Sequence, residues 1–208
     1  MARSSGSTLN PDLIRRKALS IADREGLEAV TVRRVTQECA VSAMALYAHF
    51  DDKQALLSAV SELVLERVAL PDLTDAPWGG QLALALRSLT EALQQHPAVS
   101  PGIYPAMLNS RAGLVISDRV LGLLSRGGFD PNEAGEIARQ LLASVIAIVG
   151  NGVPVSKVVI SHPDDDFATD YPFVAAAYHP GPDCAPLVPD FAGAIDRLVF
   201  GVAGGRSV

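Results

Sequence analysis

The chain has 208 residues, 49% of them hydrophobic, and carries 17 Lys and Arg against 23 Asp and Glu, a net charge of −6. It reads as globular, long enough to bury a core in one medium domain or in a small domain joined to a larger one. Its longest strongly apolar run, LLASVIAIV at 141–149, is far short of the roughly 20 residues that span a bilayer, and MARSSGSTLN lacks the apolar core of a signal peptide, so a cytoplasmic protein is expected.

The two cysteines, Cys39 and Cys184, are too few for a disulfide framework and sit in no C-x-x-C pair. No cofactor is expected. The acidic sum hides an uneven distribution: residues 1–53 hold eight basic and seven acidic residues, and the other 155 hold nine basic and sixteen acidic. Any surface for a polyanion therefore belongs to the N-terminal quarter.

Residues 1–9 form a Ser/Gly-containing tail. Asn10 and Pro11 then supply an N-cap and a proline at the first helical position, Ile14, Ala18, Ile21 and Ala22 make one apolar stripe, and Gly26 is placed to end the helix. Thr31 caps a second helix of about two turns with Val32, Val35 and Cys39 inward. Ala40 and Val41 make a tight connection, Ser42 caps a third helix to about His49, and Asp51 with Gln54 resembles a capping box for a fourth. Two short helices joined by such a turn describe a helix-turn-helix.

The residues T-x-R-x-V, then V-S-x-x-x-L-Y-x-H-F, then D-K-x-A-L-L resemble the DNA-binding domain of the TetR family of bacterial transcriptional repressors. Thr31, Arg33, Val35, Val41, Ser42, Leu46, Tyr47, His49, Phe50, Lys53 and Leu56 carry the match. The resemblance implies an all-α fold: a helix-turn-helix domain at 10–55, and a helical ligand-binding and dimerisation domain at 56–208 that pairs through a four-helix bundle. It implies double-stranded operator DNA, a small-molecule effector and a second copy of the chain as partners, with no membrane. The family usually has glycine at the position of Ala40, and a left-handed alanine there would cost roughly 1–2 kcal/mol.

Candidate DNA-binding residues are Thr31, Arg33, Ser42, Ala43, Met44, Ala45, Tyr47, His49 and Lys53. Arg33 can reach a phosphate or fork onto guanine O6 and N7, worth ~1–3 kcal/mol of discrimination. Tyr47 and His49 lie opposite Leu46 and Phe50, where their polar ends can meet phosphates, and Lys53 adds a charge at the next helix start. The amides at the starts of helices 2, 3 and 4 are further phosphate donors that formal charge does not count. Ala43, Met44 and Ala45 offer methyl groups and no donors, which suits thymine methyls and shape readout.

Leu56, Val60, Leu63 and Val64 continue the fourth helix, ending before Pro71, and PDLTDAPWGG is a connector. Leu82, Leu86, Leu89 and Leu93 mark a helix from about Trp78 to Gln95, and Pro97, Pro101 and Pro105 then break the chain into a short irregular or helical piece. A helix from about Arg111 to Arg126 stops at Gly127 and Gly128; another restarts at Asp130 and Pro131, with Ile137, Leu141, Val145 and Ile148 on one stripe and Leu142, Ile146 and Val149 on another. Seven prolines fall between 154 and 189, a long loop, before a last helix at about 189–202 presenting Phe191, Ile195, Leu198 and Val199. Helices 130–150 and 189–202 are the expected dimer elements.

Candidate effector-binding residues are Leu86, Tyr104, Met107, Leu121 and Leu142, with Thr90 and Asn109 beside Tyr104 as polar anchors. The few charges between 78 and 128 favour a neutral or weakly charged ligand. One alternative is a dimeric DNA-binding protein without effector. Another is a metal-binding enzyme using His162 with Asp164, Asp165 and Asp166, but that cluster has no second His or Cys pair, no nucleophile motif or glycine-rich phosphate loop is present, and a solvated acidic loop is the simpler reading.

Overall fold

The structure, a computed structural model, describes residues 10–150 and 191–204. The N-terminal tail, Cys184 and the proline-rich stretch with His162 and Asp164 to Asp166 lie outside the described residues. Among those described, every regular element is helical. They are α1 (Pro11–Glu25), α2 (Val32–Cys39), α3 (Ala43–Tyr47), α4 (Lys53–Leu65), α5 (Trp78–Gln95), α6 (Ser100–Asn109), α7 (Arg111–Arg126), α8 (Pro131–Gly150) and α9 (Phe191–Ala203). Single 3₁₀ turns at Leu27–Ala29 and Pro97–Val99 tighten the connections after α1 and α5.

The caps follow from side-chain chemistry. Asn10 accepts from the amide of Asp12, Thr31 from Arg34, Ser42 from Ala45 and Ser110 from Gly113, each satisfying an orphan donor of the first turn. Gly26 ends α1 at φ 88°, a conformation that only glycine enters without strain. Ala40 ends α2 in the left-handed region at φ 55°, ψ 43°, the single non-glycine residue with positive φ among those described.

Several boundaries differ from the sequence expectation. The cap of α4 is Asp52, accepting from Ala55 at 2.7 Å, and not Asp51 paired with Gln54. Adjacent aspartates offer alternative caps, and the turn that buries Phe50 decides between them. α3 stops at Tyr47 because the amides of His49 and Phe50 both return to the Leu46 carbonyl, closing the turn two residues early. α4 does end before Pro71, as expected, at Leu65. Of the two readings of the Pro-broken piece the helical one holds: it is α6, with Pro105 inside it.

α1 to α3 enclose Ile14, Ala18, Ile21, Val35 and Leu46, all inaccessible to solvent, and α4 runs on from this head into the larger body. There α5 to α8 bury Leu82, Leu89, Leu93, Ile103, Leu123, Leu124 and Leu141. Trp78 meets Phe129 edge-on, with ring centroids 5.7 Å apart, and closes the end of the body where α7 turns into α8. Gln81 is buried and ties down the connector before α5: its amide oxygen accepts from the Thr74 amide, and its nitrogen donates to the Thr74 and Ala76 carbonyls. α9 packs on α5 through buried Ile195 and Val199, and Arg87 of α5 pairs with Asp196.

Candidate functional site

The head presents one continuous polar and methyl-rich surface. Ser42, Ala43, Met44, Tyr47 and His49 are exposed on or beside α3, Met44 at 83%, while Leu46 and Phe50 face the core and hold the helix. Ala45 is half-buried. Thr31 and Ser42 use their hydroxyl oxygens as caps, which leaves each O–H free to donate outward. Lys53 stands at the start of α4, 3.9 Å from a fully exposed Glu28, a contact too solvated to hold it.

The two arginines of α2 divide their work. Arg34 is bound by Glu25 of α1 at 2.8 Å and by Glu38 one turn on, also at 2.8 Å. The hydrogen bond to Glu25, then that to Glu38, holds the guanidinium charged well above its ordinary range, and Arg34 in turn keeps both carboxyls below theirs. Arg34 therefore staples α2 to α1. Arg33, on the outer side of α2, makes no ion pair among the described residues and remains exposed. The Cys39 thiol is pushed up by burial, which keeps it protonated and unreactive.

Behind the head, α5, α6, α7 and α8 surround a cavity of about 240 Å³. Leu86, Tyr104, Met107, Leu121 and Leu142 all line it, together with Leu89, Leu108, Ile116, Ser117, Val120, Gly135, Ala138 and Arg139. Two expected anchors are elsewhere. Thr90 is buried with its hydroxyl donating to the Leu86 carbonyl at 2.8 Å, a one-turn bond that turns it away from the cavity. Asn109 is exposed at the end of α6, donates to the Pro105 carbonyl at 2.9 Å, and borders a groove with Arg111 and Leu114 on the outer face. The polar groups at the cavity are instead Tyr104, Ser117 and Arg139. The stripe Gly135, Ala138 and Leu142 has helical spacing, but its small residues carry little hydrophobic signal, because a cavity forms where side-chain volume is missing.

α6 links cavity and head. It carries Tyr104 and Met107 on one side and packs against α4 on another, where Gly102 approaches Ser61 so closely that a β-carbon would stand 2.4 Å from its Oγ. On α8 and α9 the surface left bare includes Ala143, Ala147 and Phe200, the last 77% exposed. Leu141 and Val145 are already buried within the subunit.

Residues 14–60 match the family described as bacterial regulatory proteins, tetR family. The chain is 35% identical over 101 residues to the HTH-type transcriptional repressor DrrR1 of Streptomyces coeruleorubidus, covering 46% of this chain and 36% of that one. It is 29% identical over 147 residues to the class C tetracycline repressor of Escherichia coli, covering 68% and 64%. These matches thus span about a third to two thirds of the relatives' lengths. The TetR family protein ActR of Streptomyces coelicolor, in complex with (S)-DNPA, superposes with a TM-score of 0.78 at 27% identity, covering 96% of this chain and 99% of that one.

Proposed function

We propose that this chain, whose residues 14–60 match the TetR family and whose fold is that of ActR, is a cytoplasmic homodimeric repressor of that family, released from a palindromic operator when a small, mostly apolar effector fills the α5–α8 cavity. The observation that carries the reading is the position of α6, one side lining the cavity and the other seated on α4, the helix that runs from the head into the body. An effector that packs better against one tilt of α6 moves α4 through Gly102 and Ser61 and so alters the separation of two heads on DNA. Coupling of this kind is typically ~1–3 kcal/mol, roughly 5–150-fold in operator affinity. ActR, solved with (S)-DNPA and with actinorhodin, provides a relative of the same fold that holds small molecules.

In this reading Arg33 reads guanine or a phosphate, and Thr31, Ser42, Tyr47, His49 and Lys53 position the head on the backbone. Ala43, Met44 and Ala45 meet thymine methyls. The bare residues Ala143 and Ala147 on α8 and Phe200 on α9 are the proposed twofold contact. Titration of operator DNA with and without candidate apolar compounds tests the whole. A compound that binds the body tightly yet leaves operator affinity unchanged would favour an effector-independent DNA-binding protein instead.

A further inference from the structure

Among the described residues, Arg139 is the one ionic side chain that lines the α5–α8 cavity. Its ion pair is with Glu136, one turn back on α8, at 3.0 Å, and both side chains are more than half exposed, at 56% and 67%. A solvated pair of this kind contributes little and exchanges readily. The remaining guanidinium donors are a fork shaped for a carboxylate or sulfonate, and the apolar wall beside them strengthens any charge-assisted bond formed there. Of the other polar groups at the cavity, Ser117 already donates to the Met107 carbonyl at 3.3 Å, leaving the Tyr104 hydroxyl. The cavity, at about 240 Å³, lies just below the usual ~300–1,000 Å³ of small-molecule sites, which favours a compact, ring-bearing body over a long chain.

We propose that the ligand of this cavity is a compact organic acid. Its apolar rings lie against Leu86, Met107, Ile116 and Leu142, and its acidic group takes the Arg139 guanidinium from Glu136. The proposal rests on the effector-cavity reading and narrows it, within the neutral or weakly charged ligands that the sparse charge of residues 78–128 suggested, to an acid: Arg139 lies beyond that stretch, on α8.

Two fluorescent dyes with the same ring body separate the possibilities: 1-anilinonaphthalene-8-sulfonate, an anion, and N-phenyl-1-naphthylamine, its uncharged counterpart. With the full chain, the anion should bind about tenfold more tightly, the size of one charge-assisted pair. Arg139→Gln should erase that advantage and leave the neutral dye unchanged, while Glu136→Gln should strengthen the anion alone. Equal binding of the two dyes to the parent protein, or an Arg139→Gln variant that weakens both alike, would overturn the proposal. The cavity itself is checked by Gly135→Phe, tolerable because the nearest atom to an added β-carbon is Arg139 Nη1 at 3.9 Å. Ala138→Phe is the second blocking variant. If blocking removes both dyes while Arg139→Gln has no effect, the cavity stands and the acid preference falls. If neither blocking variant displaces either dye, the dyes bind elsewhere and both readings fall.

Discussion

His96, the residue that ends α5, holds Asp23 of α1 through its Nδ1 at 3.0 Å. Its other ring nitrogen meets Arg67, just past α4. One side chain thus joins the first helix of the head, the end of the fourth helix and the connection between α5 and α6, with only 12% of its own surface exposed. The head is therefore tied to the body at a second point besides α4. Replacing His96 by alanine should lower stability by about 1 kcal/mol, the net worth of a hydrogen bond of this kind. It should also speed hydrogen exchange in α1, and unaltered exchange in α1 would show the tie to be idle.

The Gly102 and Ser61 contact gives a sharper test of the link between cavity and head. Gly102→Ala places a methyl 2.4 Å from Ser61 Oγ but 3.7 Å from its Cβ, so only the hydroxyl stands in the way. The single variant should lose ~1–3 kcal/mol by overpacking. Adding Ser61→Ala should restore most of it, less the bond from Ser61 Oγ to the Leu57 carbonyl. A double-mutant cycle in denaturant measures this; simple additivity would mean that α4 and α6 are not in tight register.

Ala40 is strained by its backbone and nothing else. At φ 55° an alanine β-carbon crowds the following carbonyl, and the residue is exposed, so no packing compensates. Ala40→Gly should raise the denaturation midpoint by the equivalent of about 1 kcal/mol. Ala40→Val, β-branched in the same conformation, should lower it.

Arg33 and Arg34 are neighbours with opposite expected phenotypes. Arg33→Ala should melt like the parent and lose either base preference, by ~1–3 kcal/mol, or about one unit of salt slope, depending on whether it reaches guanine or phosphate. Arg34→Ala should lower the melting temperature of the head and weaken DNA binding only as a consequence. Parallel melting and operator titration of the two variants distinguishes the roles.

The Arg34 cluster also sets an acid response. Glu25 and Glu38 are held below the usual glutamate range by Arg34, so the unfolded chain takes up protons first as pH falls. Their contribution is present at neutral pH and is lost as pH drops through and below the ordinary glutamate value of about 4.3. Thermal melting between neutrality and acid should show this loss, and Arg34→Ala should flatten it.

Much of the fold was legible because its signals are local. Asn10, Thr31 and Ser42 are hydroxyl or amide caps that act within three residues, and Gly26 ends α1 by itself. The leucine spacing at 82, 86, 89 and 93 marks α5 because a buried helical face repeats with the helix. The motif around α2 and α3 placed Tyr47 and His49 outward for the same reason: Leu46 and Phe50 must go in.

What depended on tertiary structure are choices among equivalent local options. Either Asp51 or Asp52 can cap α4, and the burial of Phe50 selects Asp52. Arg33 and Arg34 are the same residue type in adjacent positions, and only the approach of Glu25 from α1 commits Arg34 to structure and leaves Arg33 outward. The cavity is the strongest case. Leu86, Tyr104, Met107, Leu121 and Leu142 could be named from their helices, but Gly135 and Ala138 matter for the volume they omit, and Thr90 spends its hydroxyl on the Leu86 carbonyl while Arg139 lines the cavity. Periodicity reports which face of a helix is apolar; whether that face meets a neighbour or an empty space is decided by how four helices pack together.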